Sequence, residues 1–302
     1  MSAARASALA FRPPVTPFTD SLPPLDAQRQ TNDVVGALFG AALDRTTSFR
    51  SGTSEGPNSI RALSRSLESY SPTLDRDLQD FSLIDLGDLP LQGTMDEALA
   101  EIADAMEHAA SPGRLGIMIG GEHTVSLGGF RGIKRVYPDA LLLQLDAHLD
   151  IRDQYEGERI THASWVYHAG QEFGFEDIVQ LGLRSGAREE WPRSRGWTGW
   201  SSPELALPPH VRHRLAGRPV YLTIDIDVLD PAFAPGTGCP EPGGVTFREL
   251  ASFLYSLAGL RVVGLDVVEV SPSLDPAGIT AVAAAKLIRE AALLFGAEGG
   301  RR

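Results

Sequence analysis

Three short stretches of this sequence carry side chains whose types and spacing suit metal chemistry. In the first, the apolar run 141–145 leads directly into Asp146-Ala147-His148-Leu149-Asp150. An extended chain has a period of two, so Asp146, His148 and Asp150 project to one side just where the run ends. Carboxylates crowded like this repel one another and are costly to bury, which calls for a cation or a basic partner; the bland alternative is a solvated acidic turn. In the second, Asp225 and Asp227 again stand two apart at the end of an apolar run. An Asp-x-Asp pair alone is weak, because it recurs in calcium loops and ordinary turns; beside the first stretch it is much stronger. The third is Gly120-Gly121-Glu122-His123-Thr124, where two glycines let the backbone turn tightly and approach a ligand. A lone histidine is more often structural, and the position of His123 just past a strand is what makes it a candidate.

Together these residues offer four carboxylates and two imidazoles with no thiolate. Oxygen-rich ligation with a minority of nitrogen suits manganese better than structural zinc, which prefers Cys and His. Six ligands exceed the needs of one ion. Two divalent ions roughly 3.5 to 4 Å apart, sharing bridging carboxylates, would use them all and activate water.

The elements that must position these groups follow from the hydropathy pattern. Segments 34–39, 81–86, 115–119, 140–145, 178–183, 220–226 and 262–270 are nearly continuous in apolar residues, as strands covered on both faces should be. Helical spacing is expected over 96–109, 203–215, 246–257, where Thr246 and Glu249 make a capping box, and 278–295. This alternation predicts an α/β fold of three αβα layers around a central, mostly parallel sheet, with ligands outside the carboxyl ends of the strands. A proline-rich arm over 1–32 is expected to lie on the surface, and 33–302 to form the catalytic domain.

Composition narrows the function classes. The chain has 302 residues with 27 Lys plus Arg against 39 Asp plus Glu, a formal charge of −12, and no basic block of the kind that meets phosphate backbones, so no nucleic-acid partner is expected. A single cysteine, Cys239, excludes an internal disulfide framework and points to the cytoplasm. No apolar run reaches the roughly 18 to 20 residues of a membrane helix, so no membrane partner is expected either.

The motifs Gly-Gly-Glu-His at 120–123, Asp-Ala-His-Leu-Asp at 146–150, Asp-Ile-Asp-Val-Leu-Asp-Pro-Ala-Phe-Ala-Pro-Gly-Thr-Gly at 225–238 and Asp-Val-Val-Glu-Val-Ser-Pro at 266–272 resemble those of the ureohydrolase (arginase/agmatinase) family in order, spacing and context. The segment from Thr46 to Gly52 with Gly56-Pro57 through Ile60-Arg61 looks like the family's amino-terminal strand-loop-helix. The resemblance implies a binuclear manganese hydrolase that cleaves a guanidinium group to urea and an amine. It implies that His123, Asp146, Asp150 and Asp225 hold one Mn2+ and Asp146, His148, Asp225 and Asp227 the other, with Asp146 and Asp225 bridging. It further implies that His162 exchanges protons at the cleft mouth, that Asp150 passes a proton inward, that Glu269 binds the guanidinium, and that the chain assembles as a homo-oligomer, a trimer or hexamer.

The substrate tail is less clearly written. The acidic pair usual for arginases after the Leu-Gly-Leu-Arg strand is absent, which counts against arginine. Asp153, Glu156 and Glu158, with Tyr155, would complement a tail bearing an amine, so the expected substrate is agmatine, giving putrescine in polyamine synthesis; N1-aminopropylagmatine and guanidino acids such as guanidinobutyrate are the alternatives, and a solvated acidic loop competes with any binding role. Cys239 stands where agmatinase-like sequences commonly carry Thr, and the segment containing Trp191, Trp197 and Trp200 reads as a lid or a subunit contact. Competing functions are amide hydrolysis by the related one-zinc deacetylase fold and a non-enzymatic metal-binding regulator.

Overall fold

A computed structural model describes residues 9–22 and 34–296. In chain order, β1 spans Val34–Ala41 and α1 Gly56–Ser64, followed by a small hairpin of β2, Tyr70–Ser71, and β3, Arg76–Asp77. Then come β4 (Ser82–Asp88), α2 (Met95–Ala109), β5 (Leu115–Gly120), α3 (Val125–Val136) and β6 (Leu141–Leu145). The remainder is α4 (Trp165–Phe173), β7 (Ile178–Leu181), α5 (Glu190–Trp197), β8 (Trp200–Ser202) and α6 (Pro209–Leu215), then β9 (Pro219–Asp225), α7 (Phe247–Ser256), β10 (Arg261–Val268) and α8 (Ile279–Ala291).

Eight strands form one sheet in the order β4-β1-β5-β10-β9-β6-β7-β8, and every neighbouring pair is parallel. Alternation along each strand splits the core into two halves. Leu141, Leu143 and Leu145 of β6 pack with α1, α6, α7 and α8, whereas Leu142 packs on the opposite face with α2, α3 and α4. The three-layer αβα architecture expected from the sequence is what the chain adopts.

All seven expected strands form. β7 stops at Leu181, short of 183, because Gly182 turns the chain at φ +90°. The helix expected from 203 begins only at Pro209, since two prolines, Pro208 and Pro209, admit a helix start but not its interior. Helix α3 is glycine-rich, which lowers its intrinsic helix propensity although its apolar residues keep a helical period. A Cβ at Gly128 would lie 2.8 Å from Ile102 and one at Gly132 2.5 Å from the Ala103 carbonyl, so these glycines let α3 and α2 touch backbone to backbone. The tryptophan segment, read as a lid or a subunit contact, builds α5 and β8, an edge strand of the sheet, with Trp197 against the rings of Phe175 and Tyr167.

The amino-terminal arm is also more integrated than a surface tail. Arg12 and Asp88 exchange backbone hydrogen bonds of 2.8 and 2.9 Å, Leu22 donates to Leu83 O at 2.8 Å, and the buried Phe18 donates its N–H to Asp85 Oδ2 at 3.0 Å. Residues 9–22 therefore cover the edge of β4, which would otherwise present unpaired backbone groups. The rest of the arm and the expected boundary at 32–33 lie outside the described residues.

Candidate metal centre and its cleft

The strand order brings β5, β10, β9 and β6 side by side, and each ends in one of the chemical motifs. Past β5 the chain turns through Gly121 to His123; past β10 comes Glu269; β9 ends at Asp225 with Asp227 in the turn beyond; past β6 come Asp146, His148 and Asp150. Residues spread over a hundred positions thus meet at one edge of a parallel sheet, where strand carboxyl ends converge.

Two ligand groups form. His123, Asp146 and Asp225 make one, and Asp146, His148 and Asp227 the other, so Asp146 is shared. His123 Nδ1 lies 3.0 Å from Asp146 Oδ2, 3.2 Å from Asp225 Oδ2 and 3.4 Å from Asp150 Oδ2. His148 Nδ1 lies 2.8 Å from Asp227 Oδ2. Asp225 sits with the first group only, so its expected bridging role is not part of this geometry.

The chemistry of His123 tests whether cations fit. Its Nε2 stands 2.9 Å from Thr223 Oγ1, whose own proton goes to Asp266 Oδ1 at 2.6 Å, so Nε2 donates its proton there and Nδ1 is left to face the ligands, able to give a lone pair to a cation or to carry a second proton without one. That Nδ1 is buried, has no hydrogen-bond donor and faces three carboxylates. Lone pairs facing carboxylate oxygens are stable only around positive charge, and the residues fit a metal pair. The same demand shows in the pKa of His123: burial opposes its charge, yet Asp146 and Asp225 outweigh that and hold it well above 6.5. Asp150 and Asp225 are pushed well up, chiefly by burial and then by neighbouring carboxylates.

Beneath the ligands runs a row of buried polar side chains that sequence reasoning missed. Asp266, Thr223, Gln144 and Gln180 are register partners on β10, β9, β6 and β7. Ser194 of α5 donates to Gln180 Oε1 at 3.1 Å, Gln180 donates to Gln144 Oε1 at 2.7 Å, and Gln144 donates to Asp146 Oδ2 at 2.6 Å. Each amide is thereby oriented and Asp146 is held as an acceptor. On the other side, Tyr221 and Thr223 both donate to Asp266. The signal available in the sequence was a single polar residue in each of several apolar strands.

The centre opens into a cleft of about 210 Å³ lined by His123, His148, Asp150, Tyr155, His162 and Glu269 among others. Glu269 and Asp150 both hold left-handed backbone, φ +64° and +50°, a conformation that costs about 1–2 kcal/mol and concentrates at functional sites. Glu269 donates its N–H to Gly121 O at 2.9 Å and accepts from the His123 N–H at 2.6 Å, which fixes the carboxylate at the cleft floor. Its pKa is pushed up to about 8, mainly by burial. His162 lies across the cleft, with Nε2 3.2 Å from Ser48 Oγ and Nδ1 3.4 Å from Thr46 Oγ1. Burial lowers its pKa, so the ring is neutral and able to take a proton. Cys239 also lines the cleft, and its thiol is pushed up to about 11, chiefly by burial and then by Glu269, which leaves it a thiol and no nucleophile.

The expected tail-binding acids are not brought into this cleft. Asp153, Glu156 and Glu158 are exposed, because the loop after Asp150 turns outward and directs them to solvent; Asp153 and Glu156 line an adjoining surface depression that shares Arg152, Tyr155 and Glu190 with the cleft. Tyr155 alone of that set faces the cleft. The wall there is instead an ion pair: Arg152 Nε donates to Glu190 Oε2 at 3.1 Å, and its guanidinium lies 4.4 Å from the Tyr155 ring centre. Buried Glu190 also accepts N–H bonds from Ile151 at 3.3 Å and Ala187 at 2.6 Å.

No helix among the described residues is long and apolar enough to cross a membrane. Residues 35–294 match the model of the arginase family. A protein of Halalkalibacterium halodurans named agmatinase is 41% identical over 258 residues, covering 84% of this chain and 89% of that protein. A guanidinobutyrase of Pseudomonas aeruginosa is 35% identical over 283 residues, 89% of each chain. Among solved structures, the agmatine ureohydrolase of Thermoplasma volcanium superposes with a TM-score of 0.79 at 28% identity, covering 96% of both chains. With residues 35–294, which carry the strand ends and both ligand groups, matched by one family, the chain belongs to the arginase family.

Proposed function

We propose that this protein is a binuclear manganese ureohydrolase that cleaves agmatine to urea and putrescine. The observation that carries the proposal is the buried Nδ1 of His123, without a hydrogen-bond partner and facing the carboxylates of Asp146, Asp150 and Asp225, with Asp146 shared by a second ligand group. It is supported by relatives named agmatinase that match over most of their length. His123, Asp146, Asp150 and Asp225 would hold one ion, and Asp146, His148 and Asp227 the other. The ligands' hardness favours manganese over zinc. Held there, two such cations would supply the lowered water pKa that makes a hydroxide nucleophile accessible near neutral pH.

The remaining steps fall to the chain itself. A guanidinium is planar and cationic, and Glu269 at the cleft floor can accept paired hydrogen bonds from it while compensating its charge. Asp150, with one oxygen turned to the ligand cluster, can take the proton released by the nucleophile and hand it to the departing amine, which leaves only when protonated. Neutral His162, at the far wall, can exchange that proton with solvent.

A guanidino acid is a second, weaker reading. Arg152 is the single Lys or Arg among the described residues that line the cleft, and a relative at 35% identity is named guanidinobutyrase. The charge of Arg152 is already spent on Glu190, which favours the amine-tailed substrate. Urea release measured side by side from agmatine, N1-aminopropylagmatine, guanidinobutyrate and arginine, with manganese supplied, decides the matter: agmatine is expected to give the highest kcat/KM, and no urea from any of the four refutes the reading.

A further inference from the structure

Trp165 is fully buried at the start of α4, and its ring does two things at once. The indole Nε1–H donates to Asp150 Oδ2 at 2.9 Å, and the indole ring lies against the imidazole of His123 with centroids 4.6 Å apart and planes at 35°. We propose that Trp165 is a positioning residue of the metal centre, holding Asp150 and His123 together in the arrangement that receives the first ion. The inference rests on the metal-centre reading above and goes beyond it to a residue outside the ligand set.

A buried tryptophan needs one acceptor, and a main-chain carbonyl would satisfy it. Here the acceptor is a carboxylate that has every reason to move. Asp150 stands in left-handed backbone and shares the His123 Nδ1 with the carboxylates of Asp146 and Asp225, whose like charge repels it. The first turn of α4 supplies the restraint from both sides. Val166 N–H donates to the Asp150 carbonyl at 3.2 Å while the Trp165 N–H takes the carboxylate, so residue 150 is gripped at main chain and side chain by adjacent residues. The same turn is braced internally, Ser164 Oγ accepting from Thr161 N at 2.8 Å and donating to Arg159 O at 3.0 Å, which also places His162. Against His123 the indole leaves Nδ1 facing the ligands, since the ring cannot tilt toward the side that Trp165 fills.

The test uses the full chain, manganese alone as the probe in calorimetric titration, and steady-state urea release from agmatine. Trp165→Phe keeps an aromatic ring against His123 and deletes the N–H. Wild type is expected to bind two ions. The variant is expected to bind one of them about 10- to 100-fold more weakly, as removal of an outer-shell partner does, and to lose about tenfold in kcat with KM changed less than about twofold. Unchanged affinity for both ions overturns the proposal, as does a variant that is merely less heat-stable with wild-type metal affinity and kcat. Should that variant fail to fold, wild-type fluorescence decides: the blue-edge emission of the buried indole must be quenched by the first equivalent of Mn2+, and persistence of that emission overturns the proposal. Wild type binding no manganese would sink the metal centre itself, a failure distinguishable because no variant is involved.

Discussion

Replacing Glu269 with glutamine removes from the cleft floor, at nearly constant shape, a carboxyl that burial holds at a pKa of about 8 and that becomes a carboxylate when a guanidinium sits beside it. The backbone there is held by the Glu269 N–H to Gly121 O bond, and the side-chain oxygen that accepts the His123 N–H at 2.6 Å has a direct counterpart in the glutamine amide oxygen, so the fold around the strand end is expected to persist. Neither ligand group includes Glu269, so both ions are expected to remain. What is lost is the anionic partner of a buried guanidinium. Breaking a buried pair by removing one partner costs about 3–5 kcal/mol, which at about 1.4 kcal/mol per decade is a loss of roughly two to nearly four orders of magnitude in kcat/KM. Urea release over a range of agmatine concentrations, with manganese content measured on the same preparation, checks both halves. A Glu269→Gln enzyme with wild-type kcat/KM refutes the guanidinium role, and one that has lost manganese places Glu269 among the groups that hold the metal.

Two further expectations follow from the geometry. In the chelated protein, Asp150, Asp225 and Glu269 have folded pKa values above their ordinary 3.8 to 4.5, chiefly through burial, and His123 is held well above 6.5 by Asp146 and Asp225 against the cost of burial. Groups raised in the folded state lend stability that is complete below their unfolded pKa and lost as pH rises through the folded value; Asp146, held low by His123 and His148 despite its burial, titrates below that window. Melting temperature in excess EDTA should therefore fall between about pH 5 and about pH 8.5, and excess Mn2+ should abolish the fall, because metal replaces protons on the same ligands. A chelated protein whose melting temperature rises over that range contradicts the carboxylate cage. Separately, Asp153→Ala, Glu156→Ala and Glu158→Ala should each change kcat/KM for agmatine by less than about fivefold, since an exposed, solvent-screened charge contributes under ~1 kcal/mol; a loss beyond tenfold in any of them would restore it to the tail site.

Much of this protein could be read in its order of residues. Buried strands of a parallel sheet are nearly continuous apolar runs, and an apolar run that ends in Asp-x-His-x-Asp or Asp-x-Asp announces both a strand end and a metal ligand, because the two-residue period alone sets which side chains share a face. Hence Asp146, His148, Asp225 and Asp227 could be named as candidate ligands before any contact was known, with His123 added for its place just past a strand, and the strands that carry them were placed nearly to the residue. Helix α3 was hidden because its glycines serve the contact with α2, which local propensity does not register.

Only the tertiary structure decided which strands lie side by side, and so which partners each ligand has. The row of Asp266, Thr223, Gln144 and Gln180 exists only when β10, β9, β6 and β7 are laid in register, since those residues are far apart along the chain and individually unremarkable. The same holds for the loop after Asp150. Its composition was acidic, but a left-handed turn at residue 150 sends Asp153, Glu156 and Glu158 to solvent and leaves the Arg152–Glu190 pair at the cleft wall. Charge can be read from sequence because it belongs to the residue; direction cannot, because it belongs to the backbone and to whatever packs against it.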